Sequence, residues 1–219
     1  MALSPHDSFR QQREAMVRVQ LGDRGIHDGR VLDAMRQVPR HEFVPEGFRQ
    51  NAYEDHPLPI GKGQTISQPY IVAAMLEHLA LQPADRVLEV GTGSGYVTAL
   101  LSLLCAEVYS IERHAQLASL AESTLQRLQY RNVKIKLGDG HEGWPEYAPF
   151  DVILVSAATP GMPHALFSQL REGGRMMVPV GPQSSQELQL IRKVGGQPQI
   201  EVLEGCRFVP LIEGTADIM

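Results

Sequence analysis

The amino-acid sequence predicts a doubly wound α/β fold with a mostly parallel sheet, an antiparallel hairpin at the sheet edge and a helical extension at the N-terminus. Between residues 86 and 179, short apolar runs alternate with segments of helical periodicity, a pattern typical of parallel β-α-β units. A glycine cluster at 91–95 stands where the first of these runs turns into a helix. Two strand-like segments on either side of a Gly-Gly turn indicate the hairpin.

The first 81 residues are predicted to be helical, then loop-like, then helical again. A helical pattern covers residues 11–38 with a break near 22–29, and the polar residues 1–9 are expected to fray. Residues 40–69 contain four prolines and three glycines, so we expect a long loop, which in a compact domain is typically functional. A helix is predicted at 70–81, where apolar residues recur at helical spacing.

Strands and helices then alternate along the rest of the chain. The predicted strands cover Arg86–Val90, 107–111, Val133–Leu137, 150–156 and 174–179, and the predicted helices cover 94–105, 114–130 and 163–170. The edge hairpin is predicted from strands at 187–194 and 200–203. This order of elements favours a parallel sheet with helices on both faces.

Composition and charge exclude several classes of protein. The chain has 219 residues and a net charge of −5, which fits one large domain and argues against a nucleic-acid partner. We found no run of about 18 apolar residues and no secretory signal pattern, so we expect a cytoplasmic protein without a membrane partner. Cys105 and Cys206 form neither a disulfide framework nor a zinc set, and no metal site is predicted.

The glycine motif favours a ligand that is not a dinucleotide. Gly91, Gly93 and Gly95 follow the first strand with the spacing G-x-G-x-G, whereas the dinucleotide fingerprint is G-x-G-x-x-G. Tyr96 occupies the position of the third fingerprint glycine, which disfavours a nicotinamide oxidoreductase. Taken alone, the motif is also compatible with a tight turn that binds no ligand.

Acidic residues at the next two strand ends sharpen this prediction. Glu112 ends the second strand, where a carboxylate can accept both hydroxyl hydrogens of a ribose. Asp139 follows the third strand between two glycines, and a carboxylate there can face an adenine amino group. The Gly-Lys-Ser/Thr of a phosphate-binding loop is absent from the sequence. The three strand ends together therefore favour a cofactor with ribose and adenine but without phosphates.

These residues resemble a known class of enzymes. The segment E-x-G-x-G-x-G from Glu89, with an acid ending the next strand, is similar to S-adenosylmethionine-dependent methyltransferases. Residues 56–70, HPLPIGKGQTISQPY, closely resemble the signature loop of protein-L-isoaspartate O-methyltransferases. Further matching motifs are VPRHEFV (38–44), GDG (138–140), PFD (149–151), PVG (179–181) and RFVPL (207–211). The resemblance extends from about residue 25 to about residue 212.

The resemblance implies a Rossmann-like methyltransferase that starts the repair of damaged proteins. It implies methyl transfer from S-adenosylmethionine to the free α-carboxylate of L-isoaspartyl residues in peptides and proteins, leaving S-adenosylhomocysteine, after which the ester collapses to a succinimide. It places the active-site serine at Ser67. The contacts with the methyl donor are expected at Ile66, Gln68, Glu89, Gly91, Thr92, Gly93, Ser94, Gly95, Glu112, Arg113, Asp139 and Gly140.

The same resemblance suggests a division of the chain into two parts that form one compact unit. Residues 1–69 are expected to be a helical extension with the active-site loop, and residues 70–219 the cofactor-binding domain. Residues 56–69 are hypothesised to close over both ligands as a lid. The sequence does not determine the oligomeric state, and we expect a monomer.

The implied chemistry needs little from the protein besides positioning. A carboxylate is already ionised near pH 7, so no strong general base is required. Ser67 is then an orienting hydroxyl and not a covalent nucleophile, although its place before a helix is also compatible with a simple N-cap. Two alternatives remain open at this point. One is a methyltransferase for a small molecule or RNA, and the other is a non-catalytic relative that binds the cofactor.

Overall fold

The computed structural model describes residues 5–216, which form a seven-stranded sheet, a separate two-stranded hairpin and helices packed around them. The strands are β1 (Leu58–Gly61), β2 (Gln64–Ile66), β3 (Arg86–Val90), β4 (Glu107–Glu112), β5 (Val133–Leu137), β6 (Phe150–Val155), β7 (Leu170–Val180), β8 (Gln186–Val194) and β9 (Gln197–Cys206). The helices are α1 (Pro5–Ala15), α2 (Gly29–Gln37), α3 (Pro69–Leu79), α4 (Tyr96–Leu104), α5 (Ala115–Arg127) and α6 (His164–Ser168). Shorter helical turns cover Met16–Leu21, Gly22–Arg24, Arg40–Phe43, Glu46–Asn51 and Pro145–Tyr147.

The large sheet has the topology that the sequence predicts. Its strands lie in the order β5-β4-β3-β6-β7-β8-β9. All neighbours from β5 to β7 are parallel, and β7-β8 and β8-β9 are antiparallel. The chain winds outward from β3 in both directions, so a crevice opens beyond the carboxyl ends of β3 and its two neighbours, where ligands of such sheets bind. The doubly wound sheet and its antiparallel edge hairpin are therefore confirmed.

The central strands are apolar because the sheet is covered on both faces. In β3, Val87 belongs to one core cluster and Leu88 to the other, as expected for side chains that alternate between the two faces. The first cluster also contains Met16, Val17 and Leu21 from the N-terminal segment, all fully buried. The N-terminal helices thus share a core with the sheet.

The N-terminal helix begins earlier than predicted. Helix α1 starts at Pro5, so the expectation that residues 5–9 fray is wrong, while residues 1–4 lie outside the described residues. The Phe9 ring stacks on the His41 ring with centroids 4.1 Å apart, a tertiary contact that holds this turn in place. Further along, Asp28 caps helix α2 by accepting from the backbone N–H groups of Arg30 and Val31.

Residues 40–69 are more regular than the long loop that the sequence predicts. They contain two short helical turns and the β1-β2 hairpin. The hairpin turn is Lys62-Gly63, with φ of 54° and 71°, and two positive φ values are what a two-residue hairpin turn requires. The residues Leu58, Ile60 and Ile66 are buried, so the hairpin is fixed to the core by alternating side chains and not by a long apolar run.

The predicted strands of the sheet lie where the structure has them, but two of the later strands in the chain, β7 and β9, were predicted too short. Strand β7 starts at Leu170 and β9 covers Gln197–Cys206, both longer than their apolar segments. The edge strand β9 has an exposed face and needs no apolar run, and in β7 the added residues Arg171, Glu172 and Gly173 are exposed. In the part of the chain that the structure describes, we find no helix with the length and apolarity needed to span a membrane.

Candidate functional site

The turn between β3 and α4 is shaped by glycine. Gly91 and Gly93 have φ of 95° and 55°, values that side chains disfavour. A Cβ on Gly91 would lie 3.4 Å from Cβ of Ser156, and one on Gly93 would lie 3.4 Å from Cδ1 of Ile60 in the hairpin. The turn is therefore packed between the end of β6 and the β1-β2 hairpin, and its bare backbone faces the crevice.

The third glycine of the motif, Gly95, has a role in helix packing. A Cβ on Gly95 would lie 3.2 Å from Cβ of Ala121 and 3.3 Å from Cδ1 of Leu125, both on helix α5. Gly95 therefore allows α4 and α5 to pack closely at their ends, and it is not among the residues that line the crevice. Gly95, which the sequence expects to contact the cofactor, thus lies at the packing contact between α4 and α5.

Glu112, at the end of β4, is buried but keeps free acceptor positions. One carboxylate oxygen accepts from the backbone N–H of Gly93 at 2.8 Å, and the other accepts from the N–H of His114 at 2.9 Å. A carboxylate has about four acceptor positions, so about two remain for hydrogen bonds from a ligand. The structure thus fixes Glu112 against the glycine turn at the edge of the crevice.

Glu89 lies beneath the glycine turn and does not line the crevice. Its side chain is fully buried, and Oε2 accepts from the hydroxyls of Thr98 and Ser110, each at 2.6 Å. The Ser110 hydroxyl is in turn 2.6 Å from the hydroxyl of Thr92 in the glycine turn. Burial raises the pKa of Glu89 to about 7. Glu89, which the sequence expects to contact the cofactor, thus lies behind the turn and supports it from below.

Asp139 faces the C-terminal segment of the chain. Its Oδ2 accepts from the backbone N–H of Gly214 at 2.6 Å, and its Oδ1 accepts from the N–H of His141 at 2.8 Å. Burial works to raise the pKa of Asp139, but these hydrogen bonds outweigh burial and lower the pKa. Gly140 lines the crevice, and a Cβ there would lie only 2.5 Å from Cγ1 of Val90.

The C-terminal segment completes the wall of the crevice, a contribution that the sequence interpretation missed. It is held by a hydrogen bond from the N–H of Ala216 to the carbonyl oxygen of Arg113 at 2.9 Å. The RFVPL motif is the signal that could have located this wall. Its residues and the neighbouring Ile212 supply the lining residues Val209, Pro210, Leu211 and Ile212.

Two adjoining cavities meet at Ser67. The crevice beyond β3, β4 and β6 forms one partly open pocket, and beside it lies a larger cleft. Five residues line both cavities: Thr65, Ser67, Ser156, Val209 and Pro210. The pocket is lined by nine of the predicted site residues: Ile66, Ser67, Gly91, Thr92, Gly93, Ser94, Glu112, Arg113 and Gly140. Gln68 lines the cleft instead.

Ser67 is not the N-cap of helix α3. The N-cap position belongs to Gln68, whose side chain makes no capping bond. Asp55, thirteen residues earlier, caps the helix instead, because its Oδ1 accepts from the backbone N–H of Tyr70 at 3.1 Å. The Asp55 side chain also accepts from the side chain of Gln68 at 2.8 Å. The hydroxyl of the half-buried Ser67 is therefore not needed for capping.

Comparison with known proteins gives a consistent result. A family model described as protein-L-isoaspartate(D-aspartate) O-methyltransferase matches residues 11–216. A protein-L-isoaspartate O-methyltransferase from Koribacter versatilis is 56% identical over 213 residues, which are 97% of this chain and 96% of that protein. One from Methanoculleus marisnigri is 52% identical over 206 residues, 94% of each chain. The match begins at residue 11, earlier than the sequence resemblance did.

Solved structures agree with this relationship. A crystal structure from Plasmodium falciparum, described as a protein-L-isoaspartate O-methyltransferase in complex with S-adenosyl-L-homocysteine, is 29% identical, with a TM-score of 0.80 over 91% of this chain and 98% of that one. A second protein-L-isoaspartate O-methyltransferase structure is 32% identical, with a TM-score of 0.81 over 90% of this chain and 65% of that one. The chain belongs to the protein-L-isoaspartate(D-aspartate) O-methyltransferase family.

Proposed function

We propose that this protein transfers a methyl group from S-adenosylmethionine to the free α-carboxylate of L-isoaspartyl residues in damaged proteins, which starts their repair through a succinimide. The observation that supports this most strongly is the position of Ser67 on the boundary between two cavities. A transferase for two ligands needs one site for each and a shared boundary where the reacting atoms meet. The pocket beside the glycine turn suits the methyl donor, and the larger cleft suits a polypeptide.

The pocket residues fit the donor. Glu112 has about two free acceptor positions, one for each of the two hydroxyl groups of a ribose. The bare backbone at Gly91 and Gly93 admits a close ligand, and their positive φ values would be strained in a residue with a Cβ. Arg113, the cation among the described residues that line the pocket, donates its Nε–H to the carbonyl oxygen of Gly214. This arrangement favours an adenosine group without phosphates.

S-adenosylmethionine, when bound, supplies a methyl group on a sulfonium that is already activated for transfer to a nucleophile. The task of the chain is then to hold the acceptor carboxylate in line and to exclude water from it. Ser67 donates its hydroxyl hydrogen to that carboxylate and orients it. The buried hairpin residues Ile60 and Ile66 shield the boundary from solvent, and effective concentration from such positioning is worth roughly 7–11 kcal/mol.

The charge of the cleft fits an acceptor that carries a carboxylate. Although the chain has a net charge of −5, none of the described residues that line the cleft is acidic. Arg207, an exposed cation, stands on the cleft wall beside Phe208. A negatively charged peptide group therefore enters without repulsion from the cleft wall.

The serine assignment is tested by Ser67→Ala, with Ser185→Ala as a control from the same cleft. The assay measures methyl transfer from labelled S-adenosylmethionine to an isoaspartyl peptide and to its normal aspartyl twin. Loss of one hydrogen bond to a charged group lowers kcat by about 10- to 100-fold in Ser67→Ala. Binding of S-adenosylhomocysteine and the activity of the control stay near wild type. Full activity of Ser67→Ala would refute the serine role, and transfer to neither peptide by wild type would refute the function.

Assembly and location are part of the same proposal. We propose a monomer, and the acidic net charge supports a protein that works without nucleic acid or membrane partners. Cys105 and Cys206 are free thiols, which supports a reducing compartment such as the cytoplasm. Sedimentation velocity over a range of concentrations tests the monomer, and a concentration-dependent dimer would contradict it.

A further inference from the structure

Arg40 is a buried cation outside the two cavities, and neither the pocket nor the cleft requires it as a wall. Its side chain has 0% of its surface exposed, and it forms no ion pair with the residues that the structure describes. Within the same residues, Nη1 has no hydrogen-bond partner. A guanidinium buried without a carboxylate is costly, and an apolar side chain fills such a space at lower cost. A cation at this buried position therefore indicates a role beyond packing.

The contacts of Arg40 join three parts of the site. Its Nε–H donates to the carbonyl oxygen of Ala52 at 2.7 Å, and its Nη2 donates to the carbonyl oxygen of Ser67 at 2.8 Å. The guanidinium carbon lies 4.8 Å from the centroid of the Tyr96 ring. Ala52 precedes the β1-β2 hairpin and Ser67 follows it, while Tyr96 comes directly after the glycine turn and lines the pocket. The planar guanidinium of Arg40 thus links both ends of the hairpin segment to the pocket wall.

We propose that Arg40 is a positioning residue for methyl transfer, which sets the backbone of Ser67 against the wall of the donor pocket. This inference rests on the proposed function. Asp55 fixes the chain on the other side of Ser67, through Gln68 and Tyr70, so the serine is held from both directions. The position of the Ser67 backbone then sets the direction of the Ser67 hydroxyl.

Lysine cannot replace Arg40 in this role. The guanidinium donates to two carbonyl oxygens in a fixed plane, whereas a lysine ammonium is a point charge on a flexible stem. A misplacement of about 1 Å at a reacting group can cost about 100-fold in rate. We therefore expect kcat of Arg40→Lys to fall by about 10- to 100-fold. Affinity for S-adenosylhomocysteine should stay within about twofold of wild type, because Glu112 and the glycine turn are unchanged.

Arg175 provides a matched control. It is also buried, it donates to the carbonyl oxygens of Leu79 and Ala80 at the far end of helix α3, and it pairs with Asp85. Arg175→Lys removes a buried guanidinium that also donates to two carbonyl oxygens, at a place away from the cavities. This control should lower the melting temperature while kcat and both KM values remain near wild type.

The experiment compares wild type, Arg40→Lys, Arg40→Ala and Arg175→Lys in peptide methylation, S-adenosylhomocysteine calorimetry and thermal unfolding. A fall in kcat with intact donor affinity, together with partial recovery of Arg40→Ala by guanidinium chloride at a non-denaturing concentration but not by sodium chloride, supports positioning. Wild-type kcat in Arg40→Lys overturns it. Failure of the Arg40 variants to fold, or parallel loss of stability, donor binding and rate, also overturns it by making the role structural. An inactive wild type would instead refute the proposed function.

Discussion

The replacement Glu112→Gln tests the donor site most directly. The glutamate oxygens accept from the backbone N–H groups of Gly93 and His114, and about two acceptor positions remain. In glutamine one oxygen becomes an NH2 group, which must face one of these two N–H donors. Unlike the oxygen that it replaces, the NH2 group also cannot accept a hydrogen bond from a ligand hydroxyl.

The size of the effect follows from these hydrogen bonds. Each charge-assisted bond contributes about 1.5–3 kcal/mol. If one ligand hydroxyl loses its acceptor, the affinity for S-adenosylhomocysteine falls by about 10- to 100-fold. The unliganded protein also loses a bond between Glu112 and the backbone, about 2 kcal/mol, which for a chain of this length lowers the melting temperature by about 4–8 °C.

Isothermal titration calorimetry with S-adenosylhomocysteine measures the affinity without turnover. Glu107→Gln is the control, because Glu107 starts the same strand β4 at its opposite end, with 49% of its side chain exposed in a pair with Arg86. The control should change neither Kd nor melting temperature appreciably, since surface pairs contribute little. A Glu112→Gln variant whose Kd stays within about twofold of wild type would show that the carboxylate does not accept from the ligand.

The remaining predictions concern stability. The pKa of Glu89 is about 7 in the folded protein against 4.5 for the free side chain, so stability should fall by roughly 3 kcal/mol as pH rises from about 4.5 through 7 and then level off. Glu89→Gln should lack this part of the pH dependence in urea unfolding between about pH 5 and pH 8, and an unchanged slope would contradict the assignment. Gly140→Ala should cost about 1–3 kcal/mol, because its Cβ would lie 2.5 Å from Cγ1 of Val90, whereas Gly161→Ala meets no atom within 4 Å. Equal melting temperatures for the two alanine variants would contradict this packing.

The secondary structure was predictable where a local pattern carries it. Strand β3 and the turn after it follow from a short apolar run and three glycines, and both appear where the sequence places them. The β1-β2 hairpin was not predicted, because its strands have only four and three residues and contain a proline. Such strands gain stability from packing of Ile60 and Ile66 into the core, which a local pattern does not report.

The site shows a similar division. The sequence selected Ser67 and Glu112, and the structure brings both to the same pocket. It also selected Glu89 and Gly95, but burial places the first beneath the turn and helix packing requires the second. Side-chain type and spacing do not distinguish a group that lines the pocket from one that lies behind the pocket wall and supports it.

The sequence by itself determined the fold class, the family resemblance and the strand ends that carry the site, because apolar periodicity and glycine spacing are local properties of the chain. Only the tertiary structure decided which long-range contacts complete the site. The hydrogen bond from the N–H of Gly214 to Asp139 spans 75 residues, and the one from Arg40 to the carbonyl oxygen of Ser67 spans 27. The Arg40 bond forms because distant segments share one core, where a buried guanidinium must find acceptors regardless of their separation in sequence. The Asp139 bond is exposed, and it forms because the C-terminal segment folds back over the end of the sheet.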